Sequence, residues 1–239
     1  MIVRAQLFDM DSAFIRATFD LFARPRECPG CPPGLAPAVL RPSEIVCGAC
    51  RRELSSVNPL RPAPSVSGVP DCVAAGAYAG ALRQCAVAFK DRGRPELRAQ
   101  LAPLLESLVD ALSPGPVVLV PVPTSRRARR RRGYCHVTLL CRTVSARVPR
   151  VSVAAVLSSL DKPDFSGLGR QQRRAAADAA MRVRGGRSAA KATRIDRAKT
   201  ALLLVDDIVT SGATLAAAAA QMRNHRLMPD AAVCVAATI

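Results

Sequence analysis

Residues 202–214 read Leu-Leu-Leu-Val-Asp-Asp-Ile-Val-Thr-Ser-Gly-Ala-Thr, and no other stretch restricts the fold of this 239-residue chain as strongly. Its uninterrupted apolar start suits a strand buried on both faces, the situation of a parallel sheet covered by helices. Two acids, a hydroxyl-rich loop and an alanine-rich segment with helical character follow. A helix that begins at the carboxyl end of a parallel strand leaves its first N–H groups unpaired, and with the helix dipole these form a seat for an anion. Gly212 lets the backbone approach that anion, Ala213 opens the helix, and Thr210, Ser211 and Thr214 add hydroxyl donors. Asp206 and Asp207 are unsuited to a phosphate, so the expected ligand carries hydroxyls beside its phosphate, as ribose 5-phosphate does.

Hydrophobic periodicity places this unit in a larger pattern. It predicts helices over 80–89, 96–112, 134–146 and 213–224, and strands over 117–122, 153–157, 181–183, 201–205 and 231–237. Strands alternating with helices give an α/β fold with a mostly parallel sheet and helical crossovers. At about 150 residues per domain the length allows one to two domains. In 1–23, Phe8, Phe14, Ile15, Leu21 and Phe22 recur at helical spacing and predict an amphipathic helix. A cysteine-bearing module over 24–54 follows, then a linker over 55–70 holding Pro59, Pro62, Pro64 and Pro70, and the α/β domain over 71–239. No apolar run approaches the roughly 18 residues of a membrane span. Asp9, Asp11 and Asp20 interrupt what a signal peptide would need as an apolar core, so the expected location is the cytoplasm.

Nine cysteines in such a compartment read as metal ligands and buried thiols rather than disulfides. Cys28 and Cys31 are separated by two residues, as are Cys47 and Cys50, with fifteen residues between the pairs. This is the spacing of a zinc ribbon: each turn points two thiolates at one ion, and four close the tetrahedron to water, making Zn²⁺ structural. The module is rich in proline and poor in large apolar residues, so metal binding would supply its folding energy. Cys72, Cys85, Cys135, Cys141 and Cys234 fall in apolar patterns, as small core residues do. Cys135 adjoins His136, but neighbours on a helix do not face each other, so they are not expected to form a nucleophile and base.

The charge balance is 35 Lys+Arg against 18 Asp+Glu, and all but four of the cations are arginines. Guanidinium matches phosphate bidentately, which favours phosphate-bearing partners. At 49% hydrophobic residues the chain is too apolar for a disordered polycation. Six arginines fall between Arg126 and Arg132, inside an acid-free stretch from Ala111 to Leu160. They are open to three readings: a solvated run, a seat for a pyrophosphate, or a track for single-stranded DNA or another nucleic acid. With no Trp and only Tyr78 and Tyr134, nucleic-acid binding would be electrostatic rather than by stacking.

The 202–214 segment resembles the 5-phosphoribosyl 1-pyrophosphate (PRPP) motif of type I phosphoribosyltransferases at every specified position. From about Arg24 onward the chain is similar to the ComF family, also represented by GntX-type proteins, in which a four-cysteine zinc module precedes a phosphoribosyltransferase-like domain. Phe89-Lys90-Asp91-Arg92-Gly93-Arg94 resembles that family's Lys-x-x-Gly-Arg segment. Val120-Pro121-Val122-Pro123-Thr124 followed by Arg132-Gly133-Tyr134 resembles its Pro-x-Pro and Arg-Gly-aromatic series. The chain departs from the pattern at Cys135, where the family usually has Asn, and at Phe165 and Ala176, more often Gln and Asn. The resemblance implies that Asp206 and Asp207 hold the ribose hydroxyls. It implies that Thr210, Ser211, Gly212, Ala213 and Thr214 cradle the 5′-phosphate, and that Lys90, Thr124 and Arg132 serve PRPP. It further implies Mg²⁺ as PRPP's companion and transfer of the phosphoribosyl group to a nitrogen acceptor; the alternatives are a non-enzymatic nucleic-acid-handling protein of the kind associated with DNA uptake in competent bacteria, or a PRPP-responsive regulator.

Overall fold

The computed structural model describes residues 26–159, 181–183 and 196–239. The helix expected over 1–23 and the departures at Phe165 and Ala176 lie outside them. The cysteine module contributes β1 (Arg26–Glu27) antiparallel to β2 (Val39–Leu40), then α1 (Gly48–Ser55). After β3 (Cys72–Ala74) comes α2 (Gly80–Asp91), and a 3₁₀ turn (Pro95–Leu97) leads into α3 (Arg98–Leu112). Next come β4 (Val117–Pro121), α4 (Arg126–Arg132), α5 (His136–Arg147), β5 (Val151–Val153) and β6 (Leu157–Ser159). The chain ends with β7 (Met181–Val183), β8 (Ala201–Val209), α6 (Ala213–Arg223) and β9 (Ala231–Ala237).

The main sheet has the order β3-β9-β8-β4-β5 with every pair parallel. Its central strands are apolar save for Asp206 and Asp207 toward the carboxyl end of β8, because helices cover both faces, and strand alternation sorts their side chains into two cores. Val117, Leu119, Leu203, Val205, Val233 and Val235 enter the core under α2, α3 and α5. Val118, Val120, Leu202, Leu204, Ala232 and Cys234 enter the core under α6. Ala216, Ala217, Ala218 and Ala219 of α6 are buried, and their small side chains let the helix lie close to the sheet. This is the expected α/β, phosphoribosyltransferase-like arrangement with a cysteine module near its start. No helix among the described residues is long and apolar enough to cross a membrane.

Three differences from the expectations have local causes. The strand expected over 201–205 runs on to Val209, because β9 keeps pairing with it up to Val209 opposite Ala237, so Asp206 and Asp207 stand within the strand. The strand expected over 153–157 is two. Ala154 N–H still donates to Leu119 O, but Val156 N–H turns back to Ala154 O, and β6 then pairs antiparallel with β7 in a separate sheet.

The third difference concerns the cysteine module, which has more than metal to fold around. Cys28, Leu40, Val46, Cys50 and Leu54 are buried in the same core as α2 and α3, and Glu53 Oε1 accepts the Ala81 N–H at 2.7 Å, capping α2. The proline-bearing stretch 55–70 also makes contacts along the domain. Leu60 and Ala74 exchange two backbone bonds of 2.9 Å, and Arg223 donates to Gly68 O at 3.0 Å.

Candidate active site and metal centre

Parallel strands deliver their carboxyl ends to one edge of the sheet, and the chemistry-bearing residues gather there. β8 brings Asp206 and Asp207, α2 brings Lys90, the turn after β4 brings Thr124, the end of α4 brings Arg132, and α5 opens with His136. With Tyr78, Ser125, Thr210 and Thr214 they line a cleft of about 480 Å³. The residues expected to act on PRPP therefore meet in one place, except that Ser211, Gly212 and Ala213 are not in the lining of the cleft. Gly212 starts α6 at φ +82°, and Ser211 Oγ accepts the Ala213 N–H at 3.4 Å.

The two acids differ although both are buried, at 8% and 6% exposure. Asp206 Oδ1 accepts the N–H of Asp207 at 2.9 Å. Burial, followed by the neighbouring Asp207 charge, holds the Asp206 carboxyl well above the usual carboxylate range, disfavouring its charged form. Burial acts on Asp207 in the same direction, but His136 and then Lys90 outweigh it and hold this carboxyl below its usual range. Lys90 Nζ lies 2.8 Å and His136 Nε2 3.1 Å from Asp207 Oδ2, both ion-pair distances. Burial lowers the Lys90 ammonium, and Asp207 more than restores it, so this lysine stays charged.

His136 is the residue that the sequence reading missed. Its Nδ1 has Thr124 Oγ1 and Arg132 Nη1 each at 3.2 Å. Guanidinium only donates, so Nδ1 is bare and the ring hydrogen sits on Nε2, toward Asp207. Arg132 is fixed in turn by Asp91 Oδ1 at 2.8 Å from its Nη2. Phe89 stands edge-on to the imidazole, and Tyr134 donates its hydroxyl to Phe89 O. Arg132 ends α4 and His136 opens α5, with the left-handed Gly133 between them, so no single-helix spacing in the sequence announced their contact.

On the far side of α2 the four cysteine sulfurs of Cys28, Cys31, Cys47 and Cys50 lie within 4.8 Å of one another. Cys31 Sγ is 4.0 Å from both Cys47 Sγ and Cys50 Sγ, and Cys28 Sγ accepts the Cys47 N–H at 3.2 Å. A tetrahedron of sulfurs around an ion with bonds of about 2.3 Å has edges of about 3.8 Å, so the group has the size to hold one metal ion. Burial pushes the Cys50 thiol up and its neighbours push it further. Burial also raises Cys47, but hydrogen bonds from Cys50 and the other thiols outweigh it and bring Cys47 down to about 7. Such mutual opposition among thiolates is what a divalent cation relieves. A Cβ at Gly30 would come within 3.0 Å of Cys50 Cβ and 3.1 Å of its Sγ, so glycine leaves the sulfurs room to converge.

Compared with known proteins, the chain matches no protein-family model and no curated sequence.

Proposed function

We propose that the chain is a ComF-type phosphoribosyltransferase: it binds PRPP in the cleft at the end of β8 and transfers the phosphoribosyl group to a nitrogen acceptor. The observation that supports this best is the meeting, in one cleft, of the Asp206-Asp207 pair, the Thr210 and Thr214 hydroxyls and the cations Lys90 and Arg132. Asp207, the charged acid, accepts from the ribose hydroxyls, while Asp206 fixes the backbone of Asp207. The loop into α6 takes the 5′-phosphate with N–H and hydroxyl donors. Lys90, Arg132 and Thr124 face the pyrophosphate and stabilise the charge that grows on it as the bond to the anomeric carbon breaks.

In this reading Zn²⁺ fills the four-cysteine group as a structural ion. Mg²⁺, when bound, supplies positive charge to the pyrophosphate. Burial disfavours charge on Asp206 and Asp207 is already faced by Lys90 and His136, so the ion would enter on the pyrophosphate rather than on the acids.

The test is calorimetric titration of wild type and the Asp206→Asn, Asp207→Asn double variant with PRPP, ribose 5-phosphate and inorganic phosphate. A charged hydrogen bond is worth about 1.5–3 kcal/mol, so PRPP affinity should fall by about tenfold or more while phosphate binding persists. A wild type that binds no PRPP with Mg²⁺, or a double variant that binds it equally well, removes the reading. The exposure of Arg127, Arg130 and Arg131 on α4 favours a second one, electrostatic binding of nucleic acid.

A further inference from the structure

Beside the ribose cleft lies a second, larger one of about 610 Å³, within the size range of small-molecule sites. Pro123 and Thr124 line both, so the turn after β4 is the wall between them. Arg126, Arg129 and Arg182 line the second cleft with Cys135 and Thr138, and its described lining contains no acid. These guanidinium groups come from separate elements, α4 and β7, which converge on the same space. The arginine helix is therefore divided by its own geometry. Arg132 belongs to the ribose cleft, Arg126 and Arg129, three residues apart, belong to the second cleft, and the others stand outside both linings. Lys90 and Arg132 already supply the ribose cleft with cations for a pyrophosphate. The charges of Arg129 and Arg182, which no described residue of this cleft offsets, call for a different anion across the shared wall.

We propose that the second cleft binds the nitrogen acceptor and that this acceptor is itself an anion, carrying a carboxylate or phosphate group that the arginines hold. The inference rests on the transferase reading above. The acceptor nitrogen forms a bond to the anomeric carbon of PRPP with its lone pair, the bond from that carbon to the pyrophosphate oxygen breaks, and its electron pair leaves with pyrophosphate. Any proton shed by the acceptor nitrogen passes to solvent. The arginines take no part in the bond change. They select acceptors by charge, because a fixed cation cluster favours an acidic ligand over its neutral counterpart of the same shape.

Cys135 supplies a probe inside this cleft, half-buried and reachable by a small alkylating reagent. Iodoacetamide modification of Cys135, read by peptide mass, is measured on the full chain against nitrogen compounds in matched pairs: nicotinate and nicotinamide, orotate and uracil. PRPP affinity is measured alongside by calorimetry. In wild type, at least one acidic member should protect Cys135 at a concentration about tenfold or more below that of its neutral partner, and Arg129→Ala with Arg182→Ala should abolish that preference. PRPP affinity should be the same in both proteins, which also shows that the variant is folded. Equal protection by acidic and neutral members, or a preference that survives the double variant, overturns the inference. A tenfold loss of PRPP affinity in the variant also overturns it, by assigning the arginines to the pyrophosphate. If wild type binds no PRPP yet keeps the charge preference, it is the transferase reading that falls and an anion site that stands.

Discussion

Alanine at Gly212 should destabilise the protein well beyond alanine at Gly133, although the two glycines have nearly the same backbone conformation, at φ +82° and +80°. The left-handed region costs a non-glycine residue about 1–2 kcal/mol, and that term is common to both variants. The surroundings differ. A Cβ at Gly133 meets no atom within 4 Å, whereas one at Gly212 falls 2.7 Å from Pro64 Cβ and 2.8 Å from Val69 Cγ2. Overpacking of this kind adds about 1–3 kcal/mol, and in a domain of this size each kcal/mol shifts the midpoint of thermal unfolding by about 2–4 °C. Gly212→Ala should therefore melt several degrees below Gly133→Ala, and urea titrations of the two should give equal slopes with different midpoints. Val69→Ala in the Gly212→Ala background should return part of the loss, since it removes one of the two clashing groups. Equal losses at both positions would refute the reasoning and show that the 55–70 stretch does not lie against the Gly212 turn in solution.

Purified protein should carry one zinc per chain by metal analysis, and Cys47→Ser with Cys50→Ser should release it and lower the unfolding midpoint of the α/β domain as well, since both share one core. Asp206→Asn should stabilise the protein increasingly above about pH 4: the folded carboxyl titrates above its usual value of 3.8, so wild-type stability falls as the unfolded chain ionises and the folded one does not. Urea midpoints from pH 4 to 8 that run parallel for the two proteins would contradict this. Asp207→Asn should show the reverse sign, losing a contribution that wild type keeps above about pH 4 and gives up in acid, as the same series of midpoints would show. Arg127→Ala with Arg130→Ala should lower the salt dependence of single-stranded DNA binding by about one to two units, equally for all sequences, and an unchanged slope would mark the outer face of α4 as merely solvated.

Much of this site is readable from spacing alone, and the reasons are local. The Leu202 to Thr214 segment combines a strand period, a positive-φ glycine and a hydroxyl cluster within thirteen residues, so contacts from elsewhere are not needed to recognise it. The two Cys-x-x-Cys pairs are equally local. Other features depend on contacts between distant parts of the chain. The five residues 153–157 fit one strand or the end of one and the start of another, and only pairing with β4 or β7 decides. His136 gains its role from Asp207, seventy-one residues away, and from the accident that Arg132 approaches one ring nitrogen. The unequal charge of Asp206 and Asp207 is likewise invisible in a repeated letter, since it arises from which carboxylate faces Lys90.

One consequence of Glu53 capping α2 reaches beyond the cysteine module. The same helix has Glu53 at its first turn, Cys85 in its middle, where burial and then the Cys28 charge push the thiol up to about 12, and Lys90 and Asp91 at its last turn. On the proposed function, the metal and the sugar phosphate are two ligands of one helix. Thermodynamic reciprocity then applies: whatever factor zinc occupancy contributes to PRPP affinity, PRPP contributes to zinc affinity. On the proposed function, abundant PRPP would help the chain hold zinc in a cell where the metal is scarce, and the metal content of the protein would follow the supply of PRPP.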